Sequence, residues 1–170
     1  MPNDTELFDL ASRVGRRLLS AGRRMVTAES CTGGWIAKVM TDIAGSSQWF
    51  ECGYVTYSNA AKVRDLGVSK QTLDTHGAVS EQTVREMARG ALRVSGADIG
   101  VAVSGIAGPD GGVPGKPVGT VWFAIACRRG DEVVVDARRQ LFERDREAVR
   151  RRSVAFALDL VLQLELPRKV

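Results

Sequence analysis

The sequence predicts a three-layer α/β/α sandwich around a central mixed sheet. Two observations carry this: segments with strand character alternate with segments of helical apolar spacing, and the last two strands are joined by a turn short enough for a hairpin. The chain has 170 residues, which suits one domain spanning 1–170 with a core that needs no disulfide or metal. Leu7, Leu10, Ala11, Val14 and Leu18 recur at helical spacing, with Asn3 or Asp4 as N-cap and Gly22 as the stop. Arg24 to Ala28 reads as a short strand. Trp35, Ile36, Val39, Met40 and Ile43 mark a second helix, ending near Gly45. Phe50 to Tyr57 is rich in aromatic and β-branched residues and reads as a strand, followed by a short helix from Ala60 to about Leu66. Val84, Met87, Ala88, Ala91 and Leu92 share one helix face between Ser80 as N-cap and Gly96 as stop. Ile99–Val103, Val118–Cys127 and Glu132–Leu141 are strands, the last two joined at Arg128-Arg129-Gly130-Asp131. A final helix starts near Arg144 and carries Val154, Ala157, Leu158, Val161 and Leu164 on one side.

Composition narrows the chemistry. Cys31, Cys52 and Cys127 are odd in number and widely spaced, which fits free thiols in a reducing compartment rather than a disulfide framework. His76 is the one histidine and no CxxC pair exists, so the expectation is no metal and no cofactor. No apolar run approaches the roughly 18 residues needed to span a bilayer, and the N-terminus lacks a signal-peptide pattern. The expected location is the cytoplasm. The net charge of +4 is modest, and much of the excess lies in Arg138, Arg139, Arg144, Arg146, Arg150, Arg151 and Arg152. That cluster is either a solvated face or an anion site. Nucleic acid is a weaker option, because aromatics do not interleave with these arginines.

Three segments can carry chemistry. In Thr27-Ala28-Glu29-Ser30-Cys31-Thr32-Gly33-Gly34, a hydroxyl sits at a strand-to-helix turn beside helix N–H groups that can hold an oxyanion. Ser30 or Thr32 can equally be a simple N-cap, and Cys31 is a rival nucleophile. In Tyr54-Val55-Thr56-Tyr57-Ser58-Asn59-Ala60-Ala61-Lys62, a strand gives way to a helix capped by Ser58 or Asn59. Tyr57 and Lys62 can there face the sheet end that carries Ser30. A desolvated lysine can act as base to a serine, or Lys62 is an ordinary surface residue. The third segment, Ser104 to Pro117, is a long Gly/Pro-rich loop between two strands. Such loops are usually functional or disordered, and glycine-rich backbone can present N–H groups to phosphates or carbonyls; the plain alternative is a wide hairpin loop with no ligand.

Together these segments resemble the CinA C-terminal domain family, whose stand-alone members include nicotinamide-nucleotide amidases. The resemblance rests on Ala28-Glu29-Ser30-Cys31-Thr32-Gly33-Gly34, Gly45-Ser46-Ser47, Tyr57-Ser58-Asn59 with Lys62, Gly77-Ala78-Val79-Ser80, Ser104 to Gly112, Lys116 to Val121, and Asp145-Arg146 with Val149-Arg150. It implies hydrolysis of nicotinamide mononucleotide to nicotinic acid mononucleotide and ammonia, a step of pyridine nucleotide salvage. It also implies Ser30 as nucleophile, Lys62 as base and Tyr57 as proton relay or orienter. Cys31, Thr32, Gly33 and Gly34 are then expected around the oxyanion, with Gly105, Ile106, Ala107 and Gly108 beside the substrate. Arg146 is the expected phosphate contact. Arg144 stands where the family often has glycine, which puts the local turn in question. The expected partner is a small pyridine nucleotide, and a homodimer is the expected assembly. The other readings of the sequence are a non-catalytic nucleotide-binding module and a competence- or DNA-damage-associated interaction protein.

Overall fold

The computed structural model describes residues 1–168. Its sheet has five strands: β1 (Met25–Glu29), β2 (Phe50–Val55), β3 (Ile99–Gly105), β4 (Thr120–Arg129) and β5 (Glu132–Leu141). They lie in the order β2-β1-β3-β4-β5. The first three run parallel and the last two antiparallel, so the sheet is mixed as expected. β1 and β3 are buried throughout most of their length, as strands covered on both faces must be. β4 and β5 form the expected hairpin, with Arg129 opposite Glu132 and Gly130-Asp131 as a two-residue turn.

Six helices cover the faces: α1 (Asp4–Ala21), α2 (Trp35–Thr41), α3 (Asn59–Leu66), α4 (Lys70–His76), α5 (Glu81–Ser95) and α6 (Arg146–Gln163). α1, α2 and α6 enclose one apolar cluster with Met25, Val101, Val103, Phe123 and Ile125 from the sheet. α5, with the shorter α3 and α4, encloses the other, around Val26, Ala28, Ala102 and Ala124. Local signals account for most helix ends. Asn3 and Glu6 form a reciprocal capping box on α1, and Ser58, Ser80 and Asp145 each accept an N–H in the first turn of α3, α5 and α6.

The structure adds to the sequence reading at two places. α4 was not expected, because Lys70–His76 is mostly polar and buries only Leu73, which leaves no apolar stripe to read. A short 3-10 turn also spans Ser46–Gln48. Ends shift by small amounts. β2 stops at Val55, so Tyr57 lies past the strand, and α6 begins at Arg146 rather than Arg144. Arg144 itself has φ 94°, and it is the single non-glycine residue in the left-handed region among the described residues. An L side chain at such a position stores strain. One close approach matters for the site. A Cβ on Gly90 of α5 would lie 2.0 Å from the Leu66 carbonyl oxygen, so only glycine lets α5 hold the end of α3 this tightly. α3 is the helix that carries Lys62.

Candidate active site

The parallel strands β1 and β3 end side by side, and the chain leaves β1 directly into Ser30. The Ser30 amide donates to the Val103 carbonyl oxygen at 3.0 Å, so the nucleophile candidate is an extension of the sheet rather than part of a loose loop. The chain then turns through Thr32-Gly33-Gly34 before α2 starts at Trp35, with Gly33 and Gly34 both at positive φ.

The start of α2 is satisfied by Glu29. This fully buried carboxylate accepts from the Gly34, Ile36 and Ala37 amides at 3.1, 3.0 and 2.8 Å, and from the Thr32 hydroxyl at 2.7 Å. Two expectations are corrected by that arrangement. Neither Ser30 nor Thr32 is the side-chain N-cap of α2. The helix amides are also not open to an oxyanion: Gly34 is taken by Glu29, and the Gly33 amide donates to the Ser30 carbonyl oxygen at 3.0 Å. Among the described residues, the amides of Cys31 and Thr32 are the ones in this turn that donate to no other residue.

With Ser30 freed from capping, its hydroxyl meets Lys62. The Lys62 Nζ lies 3.0 Å from Ser30 Oγ, 2.7 Å from the Thr56 carbonyl oxygen and 3.1 Å from the Tyr57 carbonyl oxygen. Lys62 is fully buried. Its three acceptors, two carbonyl oxygens and the serine hydroxyl oxygen, suit an ammonium; in the neutral amine two N–H groups stay on the carbonyls and the lone pair is left for the serine hydroxyl proton. Burial lowers its pKa from 10.5 to about 8, against a smaller opposing effect of Cys31. A base that titrates near neutrality is what proton transfer from a serine requires.

Cys31 behaves oppositely. Its side chain is buried in the apolar cluster, and burial pushes the thiol up to about 12. The thiol thus stays protonated, and the lysine amine is hydrogen-bonded to the Ser30 hydroxyl at 3.0 Å rather than to the thiol, so the geometry favours the hydroxyl.

A cavity of about 300 Å³ opens over this pair. Ser30, Cys31, Lys62, Gly105, Ile106, Ala107, Gly108 and Arg146 all line it, as does Tyr57. Thr32, Gly33 and Gly34 do not line it, and their part is to form the turn. The Tyr57 side chain also differs from expectation. It is 60% exposed, and its phenol oxygen accepts from Arg146 at 3.1 Å; no hydrogen bond joins that phenol to Ser30 or Lys62. Tyr57 serves Lys62 through its backbone carbonyl, and the proton-relay role has no geometric support. Arg146 also donates to the Gly108 carbonyl oxygen at 2.8 Å, which ties the start of α6 to the Gly/Pro-rich loop.

Sequence reasoning missed several participants. Ala78, Val79, Ser104, Asp110 and Gly111 complete the cavity wall. Arg150 donates to the Cys31 and Thr32 carbonyl oxygens at 3.1 and 2.9 Å and lies over the Trp35 ring, bracing the turn after Ser30. Glu29 stood inside a motif the sequence had singled out, yet a glutamate several residues before a helix carries no capping signal. Other arginines of the cluster are spent elsewhere: Arg138 pairs with Asp136, and Arg151 with Asp4 and Glu147. Among the described residues no group of His, Cys, Asp and Glu is placed to hold a metal ion.

Comparison with known proteins fits this geometry. The family described as "CinA C-terminal domain" matches residues 7–164. The chain belongs to the CinA C-terminal domain family. Its relatives include the nicotinamide-nucleotide amidohydrolase PncC of Escherichia coli strain K12, 58% identical over 160 residues that cover 94% of this chain and 95% of that protein. The PncC protein of Pseudomonas putida is 56% identical over 155 residues, covering 91% and 94%. Among solved structures, a CinA superfamily protein from Escherichia coli aligns with a TM-score of 0.89 at 38% identity, covering 97% of this chain and 94% of that one. One from Klebsiella pneumoniae aligns with 0.86 at 44% identity, covering 91% and 94%. The shared fold extends over nearly the whole length of these solved structures.

Proposed function

We propose that this protein is a nicotinamide-nucleotide amidohydrolase that converts nicotinamide mononucleotide to nicotinic acid mononucleotide and ammonia, with Ser30 as nucleophile and Lys62 as base. The observation that carries the reading is the 3.0 Å approach of a buried lysine amine to a serine hydroxyl in a cavity large enough for a small ligand. The names of relatives at 58% and 56% identity over almost the full chain supply the substrate.

The steps follow from the contacts. Neutral Lys62 Nζ takes the Ser30 hydroxyl proton while Oγ bonds to the carboxamide carbon. The carbonyl electron pair moves onto its oxygen, for which the backbone amides of Cys31, Ala107 and Gly108, all residues of the cavity wall, are the candidate donors. The oxyanion collapses, the C–N bond breaks, and the Lys62 ammonium returns its proton to the departing nitrogen, which leaves as ammonia. Water then enters, gives a proton to Lys62, and attacks the acyl carbon. The ester bond to Oγ breaks, the Lys62 ammonium returns its proton to Ser30, and the nicotinic acid group is released, losing its remaining proton to solvent to become the carboxylate. The cationic pyridinium ring of the substrate, brought next to Lys62, favours the neutral amine further.

Arg146 holds the phosphate. It stands in the first turn of α6, where the helix dipole also favours an anion, and its guanidinium already lines the cavity. That contact predicts a preference for the nucleotide over free nicotinamide. The free cysteines support a reducing cytoplasmic location, and no described helix is long and apolar enough to cross a membrane.

The test is release of ammonia from nicotinamide mononucleotide by the purified protein, compared with Ser30→Ala. The variant is expected to keep its fold and lose turnover by at least about 1,000-fold. Turnover by Ser30→Ala close to that of the parent protein would remove the serine mechanism.

A further inference from the structure

We infer that Asp110 determines specificity in this cavity by facing the pyridinium charge of the substrate, so that the amide substrate is held more tightly than the acid product. The inference rests on the amidase reading above. Three observations lead to it. Asp110 is the one carboxylate among the described residues that line the cavity, where it stands with the two cations Lys62 and Arg146. It makes no ion pair and no hydrogen bond within the chain. In particular, it does not pair with Arg146. That guanidinium instead takes the Gly108 carbonyl oxygen and the Tyr57 hydroxyl, although Gly108 is only two residues from Asp110.

Two opposite charges are therefore held apart on the wall of one cavity, each open to a ligand. Nicotinamide mononucleotide has the matching pattern: a cationic ring at one end and an anionic phosphate at the other. Ser30 Oγ fixes the carboxamide and Arg146 the phosphate. The ring nitrogen must then lie between them, within the cavity whose wall includes Gly108, Asp110 and Gly111. A carboxylate there attracts the substrate's ring, whose net charge is positive. The product's ring carries the same cationic nitrogen plus a new carboxylate, so its net charge is zero and the attraction is largely cancelled. Asp110 thereby weakens product retention relative to substrate.

The experiment measures equilibrium binding in a Ser30→Ala background, where no turnover intervenes. Calorimetry with nicotinamide mononucleotide and with nicotinic acid mononucleotide is run on Ser30→Ala and on Ser30→Ala/Asp110→Asn. Asp110 is exposed, so the isosteric change does not disturb the core. The amide nucleotide is expected to bind about 5-fold more weakly to the double variant, with the acid nucleotide changed by less than about 2-fold. Parallel weakening of both nucleotides would instead make Asp110 a ribose hydroxyl contact and overturn the charge assignment. Unchanged binding of both would overturn it as well. If the parent protein releases no ammonia and the Ser30→Ala protein binds neither nucleotide, the amidase reading itself fails and takes this inference with it. Turnover by the parent protein with an unaltered affinity ratio in the double variant refutes Asp110 alone.

Discussion

Replacing Lys62 by Met separates the catalytic role proposed for this residue from its structural cost. The side chain is fully buried, and burial lowers its pKa to about 8 from 10.5. At neutral pH the folded protein must therefore bury an ammonium that the unfolded chain leaves in water. Between those two pKa values the unfolded state holds the proton and the folded state does not. Stability consequently rises with pH across this window and is lowest below it. With a folded value of about 8 and an unfolded value of 10.5, linkage gives about 3 kcal/mol of destabilisation at pH 7, most of which is recovered by pH 10. Lys62→Met removes this dependence. It also deprives the Thr56 and Tyr57 carbonyl oxygens of a donor, which costs about 1 kcal/mol each at any pH. The net expectation is an inactive protein about 1 kcal/mol more stable than its parent at pH 7 and less stable at pH 10. Urea denaturation of both proteins at several pH values measures the difference. If that difference stays constant from pH 7 to pH 10, Lys62 titrates as a solvated amine and the base assignment falls with it.

Other outcomes follow from the same contacts. kcat/KM for ammonia release rises tenfold per pH unit below a pKa near 8 and levels off above it, because Lys62 must be neutral to accept the serine proton; a pH profile flat from 6 to 9 contradicts this. Arg146→Ala raises KM for the mononucleotide by about 10- to 100-fold, read from initial rates, through loss of a charge-assisted phosphate contact. A KM within 2-fold of the parent's would place the phosphate elsewhere. Arg144→Gly relieves the strain at φ 94° and stabilises the protein by about 1 kcal/mol in chemical denaturation. A loss of stability would mean that the Arg144 side chain makes up for its backbone.

Much of the architecture was legible because it depends on short-range patterns. Helical apolar spacing in α1, α5 and α6, the capping residues Asn3, Ser58 and Ser80, and the turn at Gly130-Asp131 are all local in sequence. Ser30, Lys62 and Arg146 were accessible as candidates because their residue types and flanking motifs stand out, and because the motifs resemble a known family. Arg144 was suspect from the sequence, and the structure shows the reason in its left-handed backbone.

What the tertiary structure alone decided is where polar groups are spent. The sequence places a hydroxyl before a helix and cannot say whether it caps that helix. Glu29 takes the α2 amides, and this frees Ser30 for Lys62. A lysine reads as a surface residue until a strand end supplies two carbonyl oxygens and α5 presses α3 inward at Gly90. Arg150 reaches back across more than a hundred residues to brace the turn after Ser30, and the Tyr57 ring turns out toward Arg146. The sequence by itself thus determined which elements form and which groups are chemically able. Desolvation and hydrogen-bond partnership depend on groups far apart in the chain, so only the folded arrangement determined which hydroxyl is left free and which amine is buried beside it.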